Sequence, residues 1–87
     1  MMATTASAAL KTHSFSLILA GVSELTVEIA DALFEAGCDD ATPASREGIV
    51  TVGFDREAES LGDAIGSAVK DVERAGYRVA RVEVEAP

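Results

Sequence analysis

The chain has 87 residues, 15 Asp and Glu against 7 Lys and Arg, and a formal charge of −8, so it has room for one small domain and repels phosphate backbones. Its 48% apolar and 25% charged residues describe a folded chain and exclude a disordered one. A single cysteine excludes an internal disulfide framework and any thiolate metal site needing two cysteines, and it points to a reducing, cytoplasmic setting.

Met1 to Thr12 is rich in Ala, Ser and Thr, with Lys11 as its only charge, and reads as a flexible tail ahead of a single domain over 13–87. It lacks the basic block and continuous apolar stretch of a signal peptide, and the apolar segment Phe15 to Val22 is too short to span a bilayer. No membrane association is expected. Phe15, Leu17 and Leu19 then alternate with Ser14, Ser16 and Ile18, the period of a strand with one buried side. Gly21 ends it. Ser23 is placed to cap a helix over Glu24 to Ala36, with Val22 and Val27 as a hydrophobic staple, Leu25, Ile29 and Leu33 as its apolar stripe, and Gly37 as its stop.

Cys38 to Ser45 carries Asp39, Asp40 and Pro43, which suit only an edge strand. After the turn Arg46, Glu47, Gly48, the alternation of Val50, Val52 and Phe54 predicts a strand over Ile49 to Phe54 and closes a hairpin. Ser60 caps a second helix with Leu61, Ile65, Ala68, Val69 and Val72 inward, and Gly76 ends it. A last strand runs from Arg78 to Glu85, with Ala80, Val82 and Val84 expected on the buried side. The order β-α-β-β-α-β predicts an α+β, ferredoxin-like βαββαβ sandwich: a four-stranded antiparallel sheet with two helices on one face. Phe34, Val82 and Val84 are expected in its core.

No residue pattern carries recognisable catalysis, and none asks for a cofactor or metal. Enzymes of this fold resembling acylphosphatase need an Arg in the first strand-to-helix loop and an Asn near the third strand, but that loop is Ala20 to Ser23 and the chain has no Asn. Metal carriers of the fold use two cysteines there, and the one thiol, Cys38, follows the first helix, where it reads as a small buried hydrophobe. RNA-binding sheets expose stacking aromatics where this chain has Ser14, Ser16, Ile18, Thr51 and Gly53. His13 has no nucleophile beside it and reads as a solvated bystander. Asp39 and Asp40 read as edge protection.

The sharper feature is on the first helix, where Glu24, Glu28, Asp31 and Glu35 form one acidic stripe about 60° wide. Val27 and Phe34 stand on its flank, seven residues apart. Together these six residues are the candidate docking surface for a basic protein partner. The second helix carries Asp63, Ser67, Lys70 and Arg74 outward with both signs, as ordinary solvent surface does.

Two stretches, ALFEAGCDDA at Ala32 to Ala41, and GFDREA with KDVERAG at Gly53 to Ala58 and Lys70 to Gly76, resemble the amino-terminal α/β domain of small bacterial, largely actinobacterial, helix-turn-helix DNA-binding proteins. The resemblance spans about Phe15 to Glu85, and its motifs are structural. It implies a regulatory, non-enzymatic domain, self-associating as a homodimer and working with a helix-turn-helix regulator, without direct nucleic-acid binding by this chain. A more distant resemblance, through Gly21 in the first strand-to-helix loop, is to ACT-like regulatory domains. It implies amino-acid binding at Gly21, Val22 and Ser23.

Overall fold

Strand alternation and helical stripes meet in a single core. In a computed structural model that describes residues 10–84, the elements run β1 (Lys11–Ala20), α1 (Val27–Glu35), β2 (Ala41–Arg46), β3 (Ile49–Ala58), α2 (Leu61–Arg74) and β4 (Arg78–Glu83). The strands form one sheet in the order β2-β3-β1-β4, with every neighbouring pair antiparallel. Ile29 and Leu33 of α1 and Ala64, Ala68 and Val72 of α2 pack with Phe15, Leu17, Leu19, Val50, Val52 and Phe54 from one side of that sheet. The fold is therefore the expected ferredoxin-like α+β arrangement. Residues 1–9 of the expected tail and Glu85 of the expected last strand lie outside the described residues.

The centre of the sheet is set by apolar pairs placed directly opposite one another, Phe15 with Phe54 and Leu17 with Val52. The two phenylalanine rings stack with centroids 5.4 Å apart, and a cross-strand pair of this kind contributes about 0.2–1 kcal/mol relative to a pair of alanines. From that register the ladder continues outward into polar sequence: Ser14 with Asp55, His13 with Arg56, Thr12 with Glu57 and Lys11 with Ala58. As a result β1 begins two residues inside the expected tail, and β3 runs four residues past its expected end at Phe54. His13 is half-buried in this extension, and its Nε2 donates to the Ala58 carbonyl at 3.2 Å, so it is not the solvated bystander of the sequence reading.

The first helix starts later than expected. Thr26, not Ser23, is the cap, its Oγ1 accepting from the Ile29 N–H at 3.2 Å. Leu25 packs against the core just ahead of the cap, which fixes the entry of the chain and leaves Ser23 and Glu24 outside the helix. The second helix starts as expected, with Ser60 Oγ accepting from the Asp63 N–H. Both helices stop in the same way: Cys38 N–H bonds to the Leu33 carbonyl and Gly37 N–H to that of Phe34, and Tyr77 and Gly76 repeat the pattern on Val72 and Glu73. These are Schellman motifs, which need the positive φ found at Gly37 and Gly76.

On β4 the alternation breaks. Ile18 faces Arg81 but Leu19 faces Val79, so Ala80 is an extra residue, a bulge that turns Val79 toward the core in its place. Val82 lies beside Leu17 on an edge strand and is 38% exposed, while Val84 is 48% exposed, so neither is the core residue expected. Phe34 is also outside the core, at 65% exposure, because it lies opposite the Ile29–Leu33 stripe.

The β2–β3 hairpin closes on two residues, Glu47 at φ 53° and Gly48 at φ 81°, between the paired Arg46 and Ile49. Two positive φ angles in a two-residue loop suit Asn-Gly, and a Glu there is strained. Glu47→Asn is expected to raise stability by roughly 0.5–1 kcal/mol, read as a higher urea midpoint with an unchanged slope.

Candidate functional site

On α1 the buried stripe leaves a distinct outer face. Val27, Asp31 and Phe34 follow one another at helical spacing, with Glu28 and Glu35 alongside them and Ala30 on the other flank. Val27 is 77% and Phe34 65% exposed. Glu28, Asp31 and Glu35 are exposed as well, so the acids border the apolar pair. Glu24, expected as the first residue of this stripe, precedes the cap and belongs to the connection instead. On the acidic side a shallow groove of about 300 Å³ runs between α1 and α2, lined by Ala32, Glu35, Ala36, Arg74 and Ala75.

Gly21 and Ser23 are exposed, and Val22 packs against the core. Gly21 has φ 77°, and a Cβ there would meet nothing within 4 Å. The glycine is explained by its backbone angle rather than by a close neighbour.

A second cluster, absent from the sequence reading, centres on Arg56. It stands on β3 on the same side as Val50, Val52 and Phe54, with its guanidinium carbon 5.1 Å from the centre of the Phe54 ring. Nε and Nη2 donate to the two Asp40 oxygens at 2.8 and 2.9 Å, Nη1 donates to Ser67 Oγ and Asp71 Oδ2, both at 3.0 Å, and Nη2 also donates to the Gly37 carbonyl at 3.1 Å. Every N–H of the guanidinium is engaged. Arg74 adds a bond to the Ala36 carbonyl at 3.1 Å and an ion pair with Asp71 at 3.3 Å. The sequence reading placed Ser67 and Arg74 on plain solvent surface and Asp40 in edge protection; all three tie elements together. No local pattern marked it, because Arg56 lies past Phe54, the last residue of the apolar alternation.

The Arg56 guanidinium holds Asp40 below the usual carboxylate range, and its own proton is bound more tightly in return. Burial, with Asp71 reinforcing it, pushes the Cys38 thiol up to about 11. Cys38 is 4% exposed, in accord with its expected role as a small core side chain. A thiol so placed is a poor nucleophile at neutral pH. Among the described residues no group of three or more His, Cys, Asp or Glu is placed to hold a metal ion, and no helix is long and apolar enough to cross a membrane.

Comparison with family models, with curated proteins and with solved structures gave no match to this chain.

The Arg56 side chain is 11% exposed and its partners Asp40 and Asp71 30% and 16%, so removing the cation strands two partly desolvated carboxylates. Arg56→Met is expected to cost about 2–4 kcal/mol, discounted at Asp40 for its contact with solvent. Asp40 is depressed in the folded state, so its contribution is complete above the unfolded-state value near 3.9 and is lost as pH falls below it. Urea titrations from pH 7 to pH 2 should therefore show a loss of stability below about pH 4, smaller in Arg56→Met; an equal loss in both proteins would contradict the assignment.

Proposed function

We propose that this chain is a non-enzymatic regulatory domain that works by protein interaction, docking a basic amphipathic segment of a partner on the outer face of α1. The observation that carries this reading is the exposed pair Val27 and Phe34 bordered by Glu28, Asp31 and Glu35. Two large apolar side chains one above the other offer an anchor, and aromatic anchors of this kind dominate docking energies. The acids beside them select the sign of the partner and speed its approach. A helix with apolar residues at i, i+3 or i+4, and i+7 and lysines or arginines along its flank has the matching chemistry. The groove between α1 and α2 gives such a helix a seat beside the ridge.

The arrangement of the ionisable groups also favours interaction over catalysis. The Arg56 cluster satisfies itself with protein acceptors, which suits a staple between elements and leaves no donor aimed at a substrate. The resemblance of Ala32 to Ala41 and of Lys70 to Gly76 to the amino-terminal domains of helix-turn-helix proteins supplies a setting: a cytoplasmic transcription regulator, with the basic segment contributed by the regulator itself.

The test is binding of a synthetic amphipathic helix with leucines on one face and flanking lysines, followed by fluorescence anisotropy. Phe34→Glu, and separately the triple reversal of Glu28, Asp31 and Glu35 to Lys, should each weaken binding at least about tenfold. Melting of Phe34→Glu should stay within about 0.5 kcal/mol of the parent, because the ring is not in the core. Unchanged affinity in both variants would overturn the reading.

A further inference from the structure

The sheet has two outer strands, and they differ in what they offer a further strand. β2 carries Pro43, whose nitrogen has no hydrogen to donate, which blunts that edge. β4 has no proline, and its outer N–H and C=O groups face no strand. Regular pairing outside β4 is confined to the residues past the bulge at Ala80, Arg81 to Val84. Val82 shares the helix side of the sheet with Leu17, which is fully buried, yet is itself 38% exposed, and Val84 is 48% exposed. Arg81 and Glu83 stand on the open side, with Nε and Nη2 donating to Glu83 Oε2 at 3.1 and 3.0 Å. Arg81 Nη1 and Glu83 Oε1 take no part in that pair.

This short run is complementary to itself. In an antiparallel pair related by a twofold axis that passes through the sheet at Val82, Val82 faces Val82, and Arg81 of each copy faces Glu83 of the other. Residues directly opposite share a side of the sheet. On the open side Arg81 and Glu83 of both copies therefore close a ring of alternating charge, and on the helix side the two valines meet. Moving the axis one residue either way sets Arg81 against Arg81 or Glu83 against Glu83, so the charges favour a single register.

α2 brings a second surface to the same edge. Ser67, Asp71 and Arg74 turn one flank of α2 toward α1 and Arg56. The opposite flank, on the β4 side, carries the half-buried Ile65 and Val69 with Gly62 and Gly66 beside them. A Cβ at Gly66 would meet nothing within 4 Å, and one at Gly62 only Ser60 Oγ at 3.9 Å, so the chain's own packing requires neither glycine. Glycine weakens a helix, and here it leaves a low flank on which a second helix can lie against Ile65 and Val69.

We infer that β4 pairs antiparallel with β4 of a second copy of this chain about a twofold axis at Val82, joining the two four-stranded sheets into one. An axis perpendicular to the sheet keeps the helices of both copies on the same side. Two helices about 10 Å apart share four strands about 4.8 Å apart, so α2 lies about 5 Å from this axis. The two α2 helices then run about 9–10 Å from one another, a normal packing distance, and cover Val82 of both copies. About ten residues a side take part, against about 20–30 in a standard interface, and the charge of −8 on each chain opposes the approach. The dimer is therefore weak and concentration-dependent. It does not depend on the docking reading, because the outer face of α1 takes no part in it.

The experiment is sedimentation equilibrium of the full chain across a concentration series at physiological salt, where the parent should pass from monomer to dimer. Arg81→Glu and Glu83→Arg should each weaken self-association at least tenfold while melting close to the parent, since both side chains are more than half exposed. Mixing the two variants should give a heterodimer, and the double swap Arg81→Glu with Glu83→Arg should dimerise as the parent does. Oxidation reads the register. Val82→Cys should close into a disulfide-linked dimer, because facing Cα atoms lie about 4.5–5.5 Å apart, within disulfide range. Val84→Cys should close far more slowly, its two copies lying about 14 Å apart across the axis; Cys38 is buried and stays out of the reaction. Phe34→Glu should dimerise as the parent does. A parent that stays monomeric throughout, a double swap that does not dimerise, equal rates of closure at positions 82 and 84, or a Phe34→Glu variant that turns monomeric would overturn the inference.

Discussion

The guanidinium of Arg56 is the point on which the arrangement of layers depends. It rises from the middle strand pair at a position that β-strand geometry turns toward the helices, where an isolated charge would be costly to bury. Its cost is met because three separate segments bring acceptors to it: the end of α1 through the Gly37 carbonyl, the α1–β2 connection through Asp40, and α2 through Ser67 and Asp71. The α1–β2 connection is short and has Cys38 as its residue in the core cluster, whereas α2 is already held by Ala64, Ala68 and Val72. The planar donor fork makes the match directional, so it specifies where α1 ends relative to α2 as well as holding it there.

Neighbouring features follow from that constraint. Gly37 is needed twice, for its φ of 114° in the Schellman motif and because a Cβ would come within 3.0 Å of Asp71 Oδ2. Asp71 is drawn between Arg56 and Arg74, and Arg74 reaches back to the last turn of α1 at the Ala36 carbonyl, where a cation is favoured by the helix dipole. Cys38 follows immediately, buried under the cluster with two carboxylates close by, which keeps its thiol protonated. One inward arginine thus accounts for the local chemistry of a glycine, a cysteine and two aspartates that looked unrelated along the chain.

This also explains which parts of the molecule were legible in advance. Elements whose side chains repeat with a period, Phe15 to Leu19, Val50 to Phe54 and the α2 stripe, could be placed because burial on one side is a local pattern. The polar ends of β1 and β3 could not, since neither Lys11 to Ser14 nor Asp55 to Ala58 carries such a pattern. They become strands only by pairing with each other once Phe15 and Phe54 have set the register. The bulge at Ala80 is similar: the alternation along β4 sets Ala80, Val82 and Val84 inward and Val79 outward, and only pairing with β1 turns Val79 to the core. On α1 the candidate surface was largely visible, with Val27, Asp31, Phe34, Glu28 and Glu35 on one side. Glu24 dropped out because Thr26 rather than Ser23 caps the helix, a competition between two good caps that tertiary packing of Leu25 decides.

Charge distribution links the two exposed faces. At −8 the chain as a whole repels its own copy, and the exposed acids of α1 concentrate part of that charge on one helix face. Of the few basic residues, Arg56 is held inside the fold, and Arg74, 66% exposed, is paired with Asp71 at the groove beside α1. Arg46 and Arg81, by contrast, stand on the open sheet face, near Glu47 and Glu83. The few cations thus separate the two surfaces by sign: α1 presents an apolar ridge with a negative border, and the sheet a face of mixed sign.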